Sequence, residues 1–169
     1  VETSGEGREK TYTQEGFADG SREFRVRQPD GSENVLHVSD VNSRVTTLGD
    51  GTTVTQLLTS DPRWKMQAPL STTTTRLPVS GVQSVVRSQR LVTLANALDP
   101  LSQTATTDLV TRNGNTWRTA YTVATRTQVT TSPEARTTTT VLDTQGRPQT
   151  TSVRKPVISS LRRRVARAW

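Results

Sequence analysis

The stretch SQTATTDLVTRNGNTWRTAYTV, residues 102–123, decides the fold. At its centre stands Asn113-Gly114, a pair that tolerates the positive φ demanded by a two-residue hairpin loop. On the C-terminal side Trp117, Thr119, Tyr121 and Val123 recur with the period of two that puts them on one face of a strand. The flanks are rich in Thr and Val, whose branched Cβ resists the helix and packs well on a pleated surface. The stretch therefore reads as a β-hairpin. Downstream the unit repeats: TRTQVTT (125–131), the turn Ser132-Pro133-Glu134-Ala135, RTTTTVL (136–142), the turn Asp143-Thr144-Gln145-Gly146 and a last short strand. Turns every 10–12 residues or so are the spacing of consecutive hairpins, and the expected fold is all-β, an antiparallel meander of short hairpins.

The same reading extends toward the N-terminus. Asp19-Gly20, Pro29-Asp30-Gly31 and Gly49-Asp50-Gly51 mark turns. Between them, SREFRVRQ places Phe24 and Val26 opposite Arg25 and Arg27, and ENVLHVSD places Val35, His37 and Ser39 opposite Leu36, Val38 and Asp40. The stretch QSVVRSQRLVTLANALDP fits a helical face or a strand, and its β-rich flanks favour the strand. SDPRWKMQAPLS carries two prolines, so residues 62–82 are expected to be an irregular Pro/Thr-rich connection. Four regions result: an acidic hairpin region (1–61), that connection (62–82), a Thr-rich hairpin region (83–153) and a basic tail (154–169).

Composition agrees with this picture. Of 169 residues, 32 are Thr and 19 are Val, none is Cys, and only 30% are hydrophobic. Average domains are nearer 45–50% apolar, so a large greasy core is excluded, as is a disulfide scaffold. No apolar run approaches the roughly 18 residues that a membrane helix requires. Faces filled with Thr rather than Leu imply a sheet in which neither side is deeply buried, a wall rather than a filled sandwich. Charge is unevenly placed: residues 1–61 hold 11 acidic and 6 basic side chains, whereas the last sixteen hold 6 basic and no acidic ones. The net charge of +7 is thus largely a property of the tail. The chain opens on Val1 and a charged stretch without the pattern of a signal peptide, which reads as a piece of a longer polypeptide.

Ser132-Pro133-Glu134-Ala135-Arg136 with its run of Thr, followed by Val141-Leu142-Asp143-Thr144-Gln145-Gly146-Arg147-Pro148, resembles the bacterial Rhs family, also called YD-repeat proteins. In that family a Pro-x-Gly-Arg turn leads into a Thr-rich strand and then Tyr-Asp-x-x-Gly-Arg. Pro133, Arg136, Asp143, Gly146 and Arg147 occupy the motif positions, while Leu142 stands for the family's Tyr and Ala135 for its turn Gly. Gly5-Glu6-Gly7-Arg8 followed by EKTYTQ resembles the same turn-then-strand unit. Each motif residue has a mechanical reason. The Asp caps backbone N–H groups, the Gly takes the positive φ, and the Arg opens the next strand, where it is expected to pair across. The clear resemblance covers about 101–152.

That resemblance implies a non-catalytic role as a strip of a hollow β-shell, in a secreted or surface-delivered bacterial protein. Its partners would be the rest of its own longer chain and an enclosed toxin domain, with glycan or cell-surface contact as the alternative. Exposed strand edges also invite self-association.

No pattern for enzyme chemistry emerges, and no cofactor is expected. His37 is the single histidine, and no recognisable spacing joins it to other metal ligands. The stretch Asp40-Val41-Asn42-Ser43-Arg44 places a cation and then Val45 where a calcium loop needs an oxygen ligand and Gly. A nucleophile elbow and a phosphate-cradling Gly-rich loop are both absent. In the tail, Leu161, Val165 and Trp169 would share one helical face, and Arg162, Arg163, Arg164 and Arg167 would cover the remainder, able to meet an anionic surface. Pro156 and the shortness of the segment argue against a stable isolated helix. A nucleic-acid binder acting through the basic C-terminal half is the least favoured alternative, because aromatic residues, at 4%, are too few for a base-stacking platform.

Overall fold

The computed structural model describes residues 1–155. Thirteen strands form one open sheet in which spatial order is chain order and all neighbours are antiparallel. They are β1 (Glu2–Thr3), β2 (Glu9–Gly16), β3 (Arg22–Arg27), β4 (Glu33–Val38), β5 (Ser43–Thr47), β6 (Thr53–Asp61), β7 (Lys65–Arg76), β8 (Gln83–Leu94), β9 (Gln103–Arg112), β10 (Asn115–Thr122), β11 (Thr127–Thr131), β12 (Thr137–Leu142) and β13 (Pro148–Arg154). The sheet does not close on itself: β1 and β13 stand at its two ends. The all-β meander expected from the turn spacing is the observed fold; of the ambiguous stretch 83–100, Gln83–Leu94 are a strand, whereas residues 95–100 belong to the following turn.

Among the described residues no hydrophobic side chain is buried; the buried ones are Ser21, Thr52 and Asp61. A single layer explains this, because each face has solvent where a second sheet would pack. Order therefore comes from the ladders and the turns. Phe24, Leu36, Thr46 and Val54 pair in one row across β3 to β6, on the face that Tyr12 and Val26 also share. Farther along, Val92, Thr106, Tyr121, Gln128 and Thr140 make another row, and Arg90, Asp108, Thr119, Thr130 and Thr138 the next. Cross-strand threonines bond directly in such rows, as do Thr119 and Thr130 at 3.3 Å.

The loops differ from the two-residue type in all but one case. Asn113 and Gly114 have φ of 48° and 85° and join Arg112 directly to Asn115, the expected two-residue loop. In the three Asp-Gly turns one residue more is used, and other connections, such as those between β7 and β8 and between β8 and β9, are longer still. Phe17 and Ser21 bracket a turn with Gly20 at φ 85°, and Gln28–Ser32 and Leu48–Thr52 repeat it with Gly31 and Gly51. In each, an aspartate before the glycine accepts the N–H and hydroxyl of the residue after it: Asp19 from Ser21, Asp30 from Ser32, Asp50 from Thr52. A turn followed by one left-handed residue absorbs the extra position as a bulge, so Asp-Gly serves a three-residue loop as well as a two-residue one.

Residues 62–82 are not an irregular connection; most of them belong to β7. The prolines are accommodated in two ways. Pro62 sits in the tight turn between β6 and β7, and Pro69 lies among Met66–Pro69, which have no partner in either ladder flanking β7. Opposite them the register jumps between Thr59 and Asp61. Pro69 therefore occupies a bulge, where its missing N–H breaks no ladder bond. The ladder between β7 and β8 is also short, running from Thr72–Arg87 to Arg76–Gln83. Past Thr72 the two strands part, and the β6–β7 tip leans over the neighbouring strands.

Candidate functional site

That tip builds the one fully buried side chain of the described residues. Asp61, with 0% exposure, closes the β6–β7 turn by accepting the N–H of Arg63 at 2.7 Å and of Trp64 at 2.8 Å on Oδ1. Its Oδ2 takes Arg90 Nη1 from β8 at 3.2 Å. Arg90 in turn grips Asp108 of β9 with Nε at 2.6 Å and Nη2 at 3.2 Å, a two-pronged pair of the kind guanidinium and carboxylate geometry favours. Arg63 crosses in the same direction, donating to the Pro100 carbonyl and to Gln103 Oε1 beyond β8. Its guanidinium lies 4.7 Å from the centre of the Trp64 ring, which fixes its plane.

Burial pushes the Asp61 carboxyl up, but the N–H groups of Trp64 and Arg63 and the Arg90 guanidinium together hold it below the ordinary carboxylate value. Arg90 is held more firmly protonated, first by its bond to Asp108. Two aspartates and two arginines thus meet where the single layer is locally doubled. Between the tip and the sheet is a cavity of about 300 Å³, walled by Arg63, Arg90 and Asp108 and floored by Thr106, Tyr121 and Gln128. The buried Thr106 Oγ1 has no hydrogen-bond partner among the described residues.

This site carries no signature in the amino-acid sequence. The Asp61-Pro62 dipeptide marks a turn, but nothing local places Arg90 and Asp108 beside it. The residues that the motif singled out are all in turns. Pro133 stands second in the Ser132–Arg136 turn, where its fixed φ suits the bend, and Arg136 N–H bonds Ser132 Oγ at 3.3 Å. Ala135, in the place of the family's Gly, does adopt positive φ, at 58°. In the next turn Asp143 Oδ1 accepts the N–H of Gln145 and of Arg147, both at 2.9 Å, and Gly146 has φ 79°. The N–H of Arg147, then its side chain, hold Asp143 below the usual carboxylate range.

The arginine departs from expectation: Arg147 Nε folds back to Asp143 Oδ2 at 2.7 Å rather than pairing across the strands. Arg8 does likewise with Glu6 in the Ser4–Arg8 turn. The two motif turns lie at opposite ends of β12 and so do not converge on one site. His37 stands on β4 with its ring 6.2 Å from that of Phe17. Arg162, Arg163, Arg164 and Arg167 lie outside the described residues. No protein-family model matches the chain, and no curated protein matches it.

Proposed function

We propose that this chain is a non-catalytic wall segment of a longer β-strip of the Rhs type, carried by a secreted or surface-delivered bacterial protein. In that role it would contribute part of a shell around an enclosed toxin domain, and its partners would be the β-repeats of the same polypeptide. The observation that carries this reading is the sheet itself: thirteen strands paired only with their neighbours in sequence, and no buried apolar side chain among the described residues. Such a layer does not depend on a dry core, so water can stand on both of its faces, as a shell wall requires. It also grows by adding hairpins at an edge strand without rearranging what is already paired. The capped turns of Ser4–Arg8, Ser132–Arg136 and Asp143–Arg147 support the family reading, since each sets one left-handed residue before an arginine.

The test is electron microscopy of the full-length parent protein together with protease protection. A hollow particle with a lumen bounded by sheet, protecting a domain that becomes cleavable when the shell is opened, is the expected result. A solid particle without a lumen would refute the proposal.

A further inference from the structure

We propose that the cavity under the β6–β7 tip binds a single hexuronate ring, a polyhydroxylated sugar carrying one carboxylate. The inference is independent of whether the strip lines a shell. The cavity's volume of about 300 Å³ lies at the small end of ligand clefts, which suits one ring. Charge selects the ligand's acid group. Arg90 is already satisfied by Asp108 and Asp61, whereas Arg63 makes no ion pair among the described residues and spends its bonds on the neutral Pro100 carbonyl and Gln103 amide. With Trp64 stacked against it, Arg63 is a positioned cation that a carboxylate would complete.

The floor selects the hydroxyls. Thr106 Oγ1 is buried and unpaired among the described residues, and Tyr121 and Gln128, whose side chains hydrogen-bond none of those residues, line the same cavity. Tyr121 and Gln128 are directly opposite on β10 and β11, and Thr106 faces Tyr121 from β9, so the ladder holds all three in one row. Three side chains that can each donate and accept, held in one row, match vicinal hydroxyls.

The experiment is titration of the full chain with sodium glucuronate, sodium galacturonate, glucose and sodium acetate, followed by nuclear magnetic resonance shifts. A uronate should shift the Arg63, Tyr121 and Gln128 side-chain signals with a dissociation constant on the order of 1 mM. Glucose and acetate should each bind at least about tenfold more weakly, because each lacks one half of the recognition. Tyr121→Phe, which removes a hydroxyl that no group among the described residues uses, should weaken uronate binding about threefold to tenfold at unchanged thermal stability. Arg63→Gln should weaken it about tenfold to a hundredfold. Equal binding of glucose and uronate, equal binding of acetate and uronate, or uronate affinity untouched by both variants, would overturn the proposal. So would shifts confined to residues 154–169 and abolished by replacing Arg162, Arg163, Arg164 and Arg167 with Gln.

Discussion

Replacing Asp61 with Ala tests the reasoning about the tip most directly. The carboxylate accepts two backbone N–H groups, at 2.7 Å and 2.8 Å, in a position with 0% exposure. Removing it strands both donors, at a cost of about 1–3 kcal/mol each. Arg90 keeps both of its bonds to Asp108, so no buried cation is left bare and the larger penalty for breaking a buried ion pair does not apply. Water entering from the adjacent cavity recovers part of the loss, leaving about 3 kcal/mol for opening the tip. In a strip whose ladders join only neighbouring strands, that loss stays local rather than melting the whole sheet. The readout is therefore amide hydrogen exchange at Arg63 and Trp64. Protection at these two positions should fall about a hundredfold, since about 1.4 kcal/mol is a factor of ten. Asp61→Asn keeps one oxygen toward the two N–H groups and loses only the charge, so its effect should be smaller, about tenfold. Protection unchanged within a factor of two in Asp61→Ala, or a worse loss in Asp61→Asn than in Asp61→Ala, would refute the account.

Two further outcomes follow from the turns. Ala135 holds φ at 58°, a conformation that costs a residue with a Cβ about 1–2 kcal/mol, so Ala135→Gly should stabilise the hairpin by about 0.5–1 kcal/mol once the entropy of glycine is offset. Urea denaturation should show a higher midpoint, and an unchanged or lower one would mean that the turn is not strained. Acidification acts on the capping aspartates. Asp19 and Asp30 are held below the ordinary carboxylate value by the hydroxyl and then the N–H of Ser21 and Ser32, Asp50 by the N–H and then the hydroxyl of Thr52, and Asp143 by Arg147. A lowered folded-state pKa means that the unfolded chain binds protons first. The stability these groups supply is therefore complete above the unfolded value of about 3.9 and lost as pH falls through the lower folded values. Denaturation midpoints should hold down to about pH 5 and decline below about pH 4, and a midpoint flat to pH 2 would contradict the capping role.

Strand positions and turn positions were legible in the amino-acid order because both rest on short-range physics. Branched Cβ atoms disfavour the helix wherever they occur, and an Asx or Ser next to a residue able to take positive φ bends the chain whatever surrounds it. Absence of a core was equally readable, from Thr standing where Leu would have to be. Loop class was less so: Asp-Gly fits a loop of two or three residues, and only the partner strand's register chose the longer form at Asp19-Gly20, Asp30-Gly31 and Asp50-Gly51. Prolines misled at 62–82, because a strand can carry Pro62 in its turn and Pro69 in a bulge without losing a ladder bond.

The cluster of Asp61, Arg63, Arg90 and Asp108 was decided by tertiary structure alone. Asp61 and Arg90 are 29 residues apart, and Arg90 and Asp108 another 18, separations at which no periodicity links one residue to another. They meet because the bulge at Met66–Pro69 and the shortened β7–β8 ladder tilt one hairpin tip over its neighbours. Backbone propensity is a property of each residue and its immediate neighbours, whereas burial and ion pairing depend on where a bent strand finally comes to rest.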